Sequence, residues 1–210
     1  PSSRPNSRRE DAVADELKLN AGPVTLRRRA LDAARGLLEA GGVDGLHLRA
    51  IAAEVRSGVA TLYHHFADKN ALLAALAIEG WEELARAIDK AMASGKFPYR
   101  IDAASRAFLT FIHRNPQLYA LMQTEQALAA NDAVRAAERA SFAVFQSAFE
   151  GDDRVPPARV EEVSLTIWVL GRGIASAVLM QGEDDPGAAG RLVAKVIAGF
   201  GFLLSPRFAD

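Results

Sequence analysis

No cysteine occurs in this chain. A disulfide framework, a thiolate metal site and a cysteine nucleophile are thereby excluded, and a reducing cytoplasm is the expected location. No apolar run approaches the roughly 18 residues of a membrane span, so no membrane partner is expected. The opening segment, PSSRPNSRREDAVADELKLNAGP, has no apolar stretch of the kind a secretory leader carries. It reads as a flexible polar arm over residues 1–23, within which residues 10–19 can form a short helix. An excess of charge is missing too, the net being −1. A protein basic all over is thus excluded, yet a local cluster such as Arg27-Arg28-Arg29 can still bind phosphate. No glycine-rich phosphate loop, metal-ligand spacing or nucleophile elbow occurs. No enzyme activity, cofactor or metal is therefore expected. His64 and His65 point about 100° apart on a helix, so they do not share an ion.

What the chain has in abundance is helical periodicity. The spacing predicts nine helices, at about 25–40, 48–55, 59–65, 68–94, 101–114, 116–129, 132–150, 156–181 and 187–204. Thr25 caps the first and Gly41-Gly42 ends it, Asp68 caps the fourth, and Asn115-Pro116 stops the fifth. The expected fold is all-α and in parts: the arm (1–23), a small three-helix head (24–70) and a larger helical body (71–210).

The head poses the sharpest question. A third helix of about seven residues is not stable alone, so it is built to be presented. With the second helix and the turn between them it has helix-turn-helix proportions, in which the second of the pair enters a DNA major groove. Val59, Leu62 and Phe66 would anchor it. Gly58, Ala60 and Thr61 are small enough for close approach, and the two methyls suit thymine. Tyr63, His64 and Lys69 would meet phosphates, as would Thr25, Arg27 and Arg28 from the first helix. The remaining expected DNA contacts are His47, Arg49, Ser57 and Val59.

Over about residues 24–80, LRAIAAEV and ATLYHHFADKNALL resemble the DNA-binding head of TetR-type transcriptional regulators. The family pattern is an "IA" helix, a tight turn and a TLYxHFxxKxxLL segment. The turn departs from it: Arg56-Ser57-Gly58 stands where Gly-Val-Ser is usual. Either the turn slides so that Gly58 takes the left-handed conformation, or Arg56 carries it under strain. His47 stands where a capping Ser or Thr usually starts the second helix, and is a weaker cap.

The body is rich in well-placed rings. Phe108, Phe111, Ile112, Tyr119, Met122, Gln123, Phe142, Phe145, Trp168 and Arg172 are the expected lining of a pocket for a small apolar or amphipathic ligand. A buried Arg172 would need an acidic partner or ligand. FIHRNPQLYALM and IWVLGRGIASAVL are similar to a TetR-type subgroup with a Trp-x-x-x-His-Gly segment, Arg172 replacing the histidine.

The last two helices carry apolar stripes read as an association surface: Val163, Ile167, Leu170, Ile174 and Val178 on one, Leu192, Val196, Phe200 and Leu203 on the other. The resemblance implies a four-helix bundle between two copies. The expected protein is a homodimeric regulator, a repressor, released from a palindromic double-stranded DNA operator by its ligand. The rival is a small-molecule carrier or sensor whose head binds protein or non-specific DNA.

Overall fold

A computed structural model describes residues 25–96, 99–124 and 132–179, together with 191, 194, 195 and 198. The described elements are helices: α1 Leu26–Gly41, α2 Leu48–Glu54, α3 Val59–Tyr63, α4 Lys69–Ala93, α5 Arg100–Arg114, α6 Pro116–Met122, α7 Asp132–Gln146 and α8 Val160–Leu179, the last preceded by a 3-10 turn at Pro157–Arg159. No strand occurs among the described residues. Most of the expected ninth helix lies outside them, but residues 191, 194, 195 and 198 are helical. The third helix stops at Tyr63, two residues earlier than its spacing suggests.

Local chemistry starts and stops these helices. The Thr25 hydroxyl accepts from the Arg28 amide at 3.2 Å, and the Asp68 carboxylate accepts from the Ala71 amide at 2.7 Å. Each satisfies an amide that the first helical turn leaves without a partner. His47 makes no side-chain cap. The end of α2 resolves the question of the turn. Ser57 donates its amide to Ala52 and Arg56 to Ala53, at 2.9 and 3.1 Å, the paired bonds of a Schellman ending. Arg56 occupies its left-handed position at φ 53°. Gly58 is extended at φ −71° and caps α3. The turn does not slide; Arg56 carries the conformation.

α4 is the axis of the molecule. Its 25 residues span about 37 Å. Leu72, Leu73, Leu76, Ala77, Trp81, Leu84 and Ile88 form its buried stripe. One continuous core joins this stripe to Leu31, Leu38, Ile51 and Leu62 of the head and to Phe108, Leu118, Phe145 and Trp168. Each fully buried Leu contributes about 1.5–3 kcal/mol. α6 approaches α4 at Gly80, where an added Cβ would lie 2.6 Å from Met122 Sδ and 3.0 Å from Leu118 Cδ2. No described helix is long and apolar enough to cross a membrane.

Candidate functional site

The short α3 is held by its buried Leu62 and by Phe66 just beyond it. That leaves Ala60, Thr61, Tyr63 and His64 exposed, Tyr63 at 54 %. Gly58 is exposed, while Ser57 and Val59 are half-buried. An open groove of about 770 Å³ runs beside α3, lined in part by His47, Arg49, Val59, Tyr63, Asp68 and Lys69. The sequence therefore named side chains that the fold does bring to one surface. Its cations outnumber Asp68 there, so the groove favours an anion.

The basic residues around it differ in how free they are. Arg27 stacks over the Phe66 ring, its guanidinium carbon 5.3 Å from the centroid. Lys69 donates to the Val43 carbonyl at 2.9 Å, which leaves two of its three ammonium hydrogens. Arg28 is placed otherwise than the sequence suggests. It donates to Asp32 at 2.5 and 2.9 Å and to Glu79 at 2.7 Å. The Asp32 hydrogen bond and the neighbouring Glu79 hold its pKa above the usual arginine range. Two carboxylates neutralise this guanidinium, so Arg28 braces α1 against α4 instead of offering a free charge to phosphate.

A second tie joins head to body, and the sequence reading missed it. Arg35 of α1 donates to Asn115 Oδ1 at 2.7 Å and to Glu83 of α4 at 3.3 and 3.4 Å. Glu39, one turn on, accepts from the Leu118 amide at 3.2 Å. Asn115 does not cap α6 with its own side chain. A carboxylate of the head thus caps a helix of the body.

In the body, Trp168 is a hub. Its ring centroid lies 5.2 Å from those of Phe108 and Phe145, 5.5 Å from Phe142 and 6.2 Å from Trp81. Tyr119 meets Phe108 edge-on at 6.0 Å. Phe111, Ile112 and Met122 belong to the same core, and Phe142 is half-buried against it. One turn beyond Trp168, Arg172 donates to Glu138 at 2.5 Å and to Gln123 Oε1. Glu138 is the acidic partner that the sequence left unnamed. It lies three, four and seven residues before Ser141, Phe142 and Phe145, a helical spacing that could have disclosed it. The side chains of Arg172 and Glu138 remain 31 % and 21 % exposed. Among the described residues, the buried polar atoms Trp81 Nε1, Tyr119 Oη, Gln123 Nε2 and Ser141 Oγ have no hydrogen-bond partner. Each costs about 1–3 kcal/mol unpaired. Burial pushes the Tyr119 phenol's pKa up, Arg172 opposing, so it remains a neutral donor.

The stripe of α8 expected to associate is used in part by the chain's own core. Val163 and Ile167 pack against the chain's own core, Ile174 is buried, and Leu170 is half-buried. The face turned to solvent instead carries Leu165 at 49 % and Val169 at 59 % exposure, with Gly173 and Ser176 further along. The Val178 side chain and residues Leu192, Val196, Phe200 and Leu203 lie outside the described residues. Among the described residues, no group of three His, Asp or Glu could hold a metal ion.

Two family models match the chain. "Bacterial regulatory proteins, tetR family" covers residues 30–76, and "Tetracyclin repressor-like, C-terminal domain" covers residues 101–200. No curated protein matches. Among solved structures, a protein of unknown function from Rhodococcus sp. RHA1 is 26 % identical, with 87 % of this chain and 96 % of that one aligned at a TM-score of 0.69. A TetR transcriptional regulator from Streptomyces coelicolor is 21 % identical over 89 % of this chain and 99 % of its own, TM-score 0.60. A TetR-like transcriptional regulator from Rhodococcus sp. RHA1 aligns over 86 % and 98 % at 20 % identity, TM-score 0.58.

Proposed function

Because this chain belongs to the tetR family of bacterial regulatory proteins, whose members are DNA-binding transcriptional regulators, we propose that it is a homodimeric repressor released from a palindromic operator by a small ligand. On this reading residues 24–70 bind DNA, residues 71–210 bind ligand and a second copy, and residues 1–23 are an arm. The observation that carries it is α3, whose exposed Ala60 and Thr61 stand beside a groove bearing Arg49, Tyr63 and Lys69. Small side chains let the helix reach base edges; the groove residues meet phosphates. The family models carry the likeness of the body to the family; the likeness to the subgroup with the Trp-x-x-x-His-Gly segment rests on the sequence resemblance alone.

Ligand release would be a population shift. A ligand that binds better to a dimer with wrongly spaced heads pulls the protein off DNA. α4 joins head to body, and the Arg35 and Glu39 contacts supply a second path from α6, which carries Tyr119 and leads into Gln123, to α1.

Selection from a random duplex pool at near-physiological salt tests the reading. Enrichment of an inverted repeat supports a dimeric sequence-specific regulator. Retention without a motif, or none, overturns it in favour of a carrier or sensor. With an operator in hand, Tyr63→Phe and Lys69→Ala should weaken binding about equally on all sequences, whereas Thr61→Ala should change base preference. Uniform loss in all three would reject this division of roles.

A further inference from the structure

Resting on the DNA-binding reading and deepening it, we propose that Arg56 is a phosphate-binding residue, and that the exposed edge of α2 from Arg49 to Arg56 lies along the sugar-phosphate backbone of one strand. Arg56 is the one non-glycine residue at positive φ among those described. Glycine takes that conformation without strain, and a residue with a Cβ does not. Nothing in the described chain offsets the strain. The Arg56 amide bonds Ala53, but among the described residues its exposed side chain makes no hydrogen bond, ion pair or ring contact. Strain at an exposed charge with no partner in the chain marks a residue kept for a contact outside it.

Its place in the fold says what that contact is. α2 turns Ile51, Ala52 and Val55 into the core. Another side carries Arg49, Ala53 and Arg56, all exposed, at positions i, i+4 and i+7 of one helical face. The two arginines stand about 10 Å apart along the axis, with only the Ala53 methyl between them. A flat edge with a cation at each end suits a row of phosphates. Arg49 lines the groove beside α3, so the edge starts at the surface already assigned to DNA. It ends where the turn enters α3, since Gly58, the residue that caps α3, follows Arg56 by two positions. A helix-turn-helix sets its first helix across the backbone when its second enters the groove, and this edge is the side of α2 that meets it.

A further cation stands beside Arg56. The groove at this end of α2 is lined by Arg29 and Asp32 of α1 together with Glu54 and Arg56. Asp32 is held by Arg28, whereas the Arg29 side chain has no partner among the described residues. Two free guanidinium groups therefore face one exposed carboxylate, Glu54, and the balance favours an anion. The arginine triplet thus divides: Arg27 stacks on Phe66, Arg28 braces α1, and Arg29 joins Arg56 at the phosphates.

Arg56→Gly is the direct test, because it relieves the strain and so leaves the fold intact. The full-length protein would be titrated with a fluorescent duplex of random sequence and with the selected operator, across a series of salt concentrations. On both, Arg56→Gly should raise Kd about fivefold or more, and the slope of log Kd against log salt should fall by about 0.9 for each Arg56 that meets the duplex. Its urea midpoint should be no lower, which separates lost binding from lost folding. Arg56→Lys should restore most of the slope, since it restores the charge. Ala53→Glu, at an exposed helical position, should weaken both duplexes by setting a carboxylate between the arginines. The proposal is overturned if Arg56→Gly leaves Kd and slope unchanged, if Arg56→Lys is as weak as Arg56→Gly, or if Ala53→Glu binds normally. Selection by the unaltered protein separates this proposal from the reading it rests on. If an inverted repeat is selected and these substitutions are tolerated, only this proposal falls. If random duplex is retained without a motif and is lost with Arg56→Gly, the sequence-specific regulator falls and the phosphate-binding edge stands. If no duplex is retained, both fall.

Discussion

At the scale of single residues, the turn of the head stores a small strain. Arg56 sits at φ 53° in the one position of a Schellman ending that favours glycine. Side chains with a Cβ pay for that conformation by about 1 kcal/mol or more. Arg56→Gly should therefore raise the urea midpoint by an amount equivalent to about 1 kcal/mol, at unchanged m-value. A lower midpoint would mean that the arginine side chain contributes a contact worth more than the strain. Asp152 offers a pH test. Hydrogen bonds from Arg154 hold its carboxyl pKa at about 2, below its unfolded value of about 3.9. The folded-state pKa is depressed, so the stabilising contribution is complete above pH ~4 and is lost as pH falls toward 2. Carbon-detected titration of Asp152 should show a midpoint near 2, moving up toward the usual carboxylate range in Arg154→Ala. The local basis of such features was legible in the chain. The caps Thr25 and Asp68 and the weak cap His47 can be read from sequence, since a cap depends on residues within one turn.

At the scale of elements, α4 and α6 meet too closely for any side chain at Gly80. The atoms an added Cβ would strike belong to fully buried Met122 and Leu118, which have little room to retreat. Gly80→Ala should cost about 1–3 kcal/mol in chemical denaturation, despite alanine's better helix propensity. A stability gain would show that α6 can shift outward freely. The Glu39 cap on α6 is an inter-element contact of a different kind. Glu39→Ala should destabilise by about 1 kcal/mol, and it should couple to Arg35→Ala in a double-mutant cycle, because the two side chains lie 3.7 Å apart and grip the same helix start. If the two effects simply add, the tie is two separate contacts. Neither feature is visible in helical periodicity, which says which residues share a face but not which neighbour that face meets.

At the scale of the whole molecule, the proposed association of two copies can be tested on α8. Its inner side is taken by the chain's own core, and its outer side mixes polar residues such as Glu162 and Thr166 with two large apolar ones. If two copies pair as proposed, the exposed pair Leu165 and Val169 is the apolar surface that pairing would cover. Val169→Glu should then convert the proposed dimer to monomer in sedimentation equilibrium and lower affinity for an inverted repeat more than for a single half-site. Val163→Ala should instead lower stability and leave the oligomeric state intact. The reverse pattern would return the interface to the stripe first read from the sequence.

What the sequence by itself determined is therefore the part built from short-range rules: an all-helical chain, the capped helix starts at Thr25 and Asp68, the helix-turn-helix head and the outward residues of α3. Those depend on spacing, caps and a turn, each a matter of residues close together in the chain. Only the tertiary structure decided which charges are free and which apolar faces are spent inside the molecule. Arg28 reads as one of three equal arginines until Glu79, 51 residues away, closes on it. Arg172 acquires Glu138 from 34 residues away, and Arg35 acquires Asn115 from 80. The stripe of α8 looks the same whether its cover comes from its own chain or another. Burial and pairing are properties of the packed whole, and no local pattern encodes which distant surface will arrive.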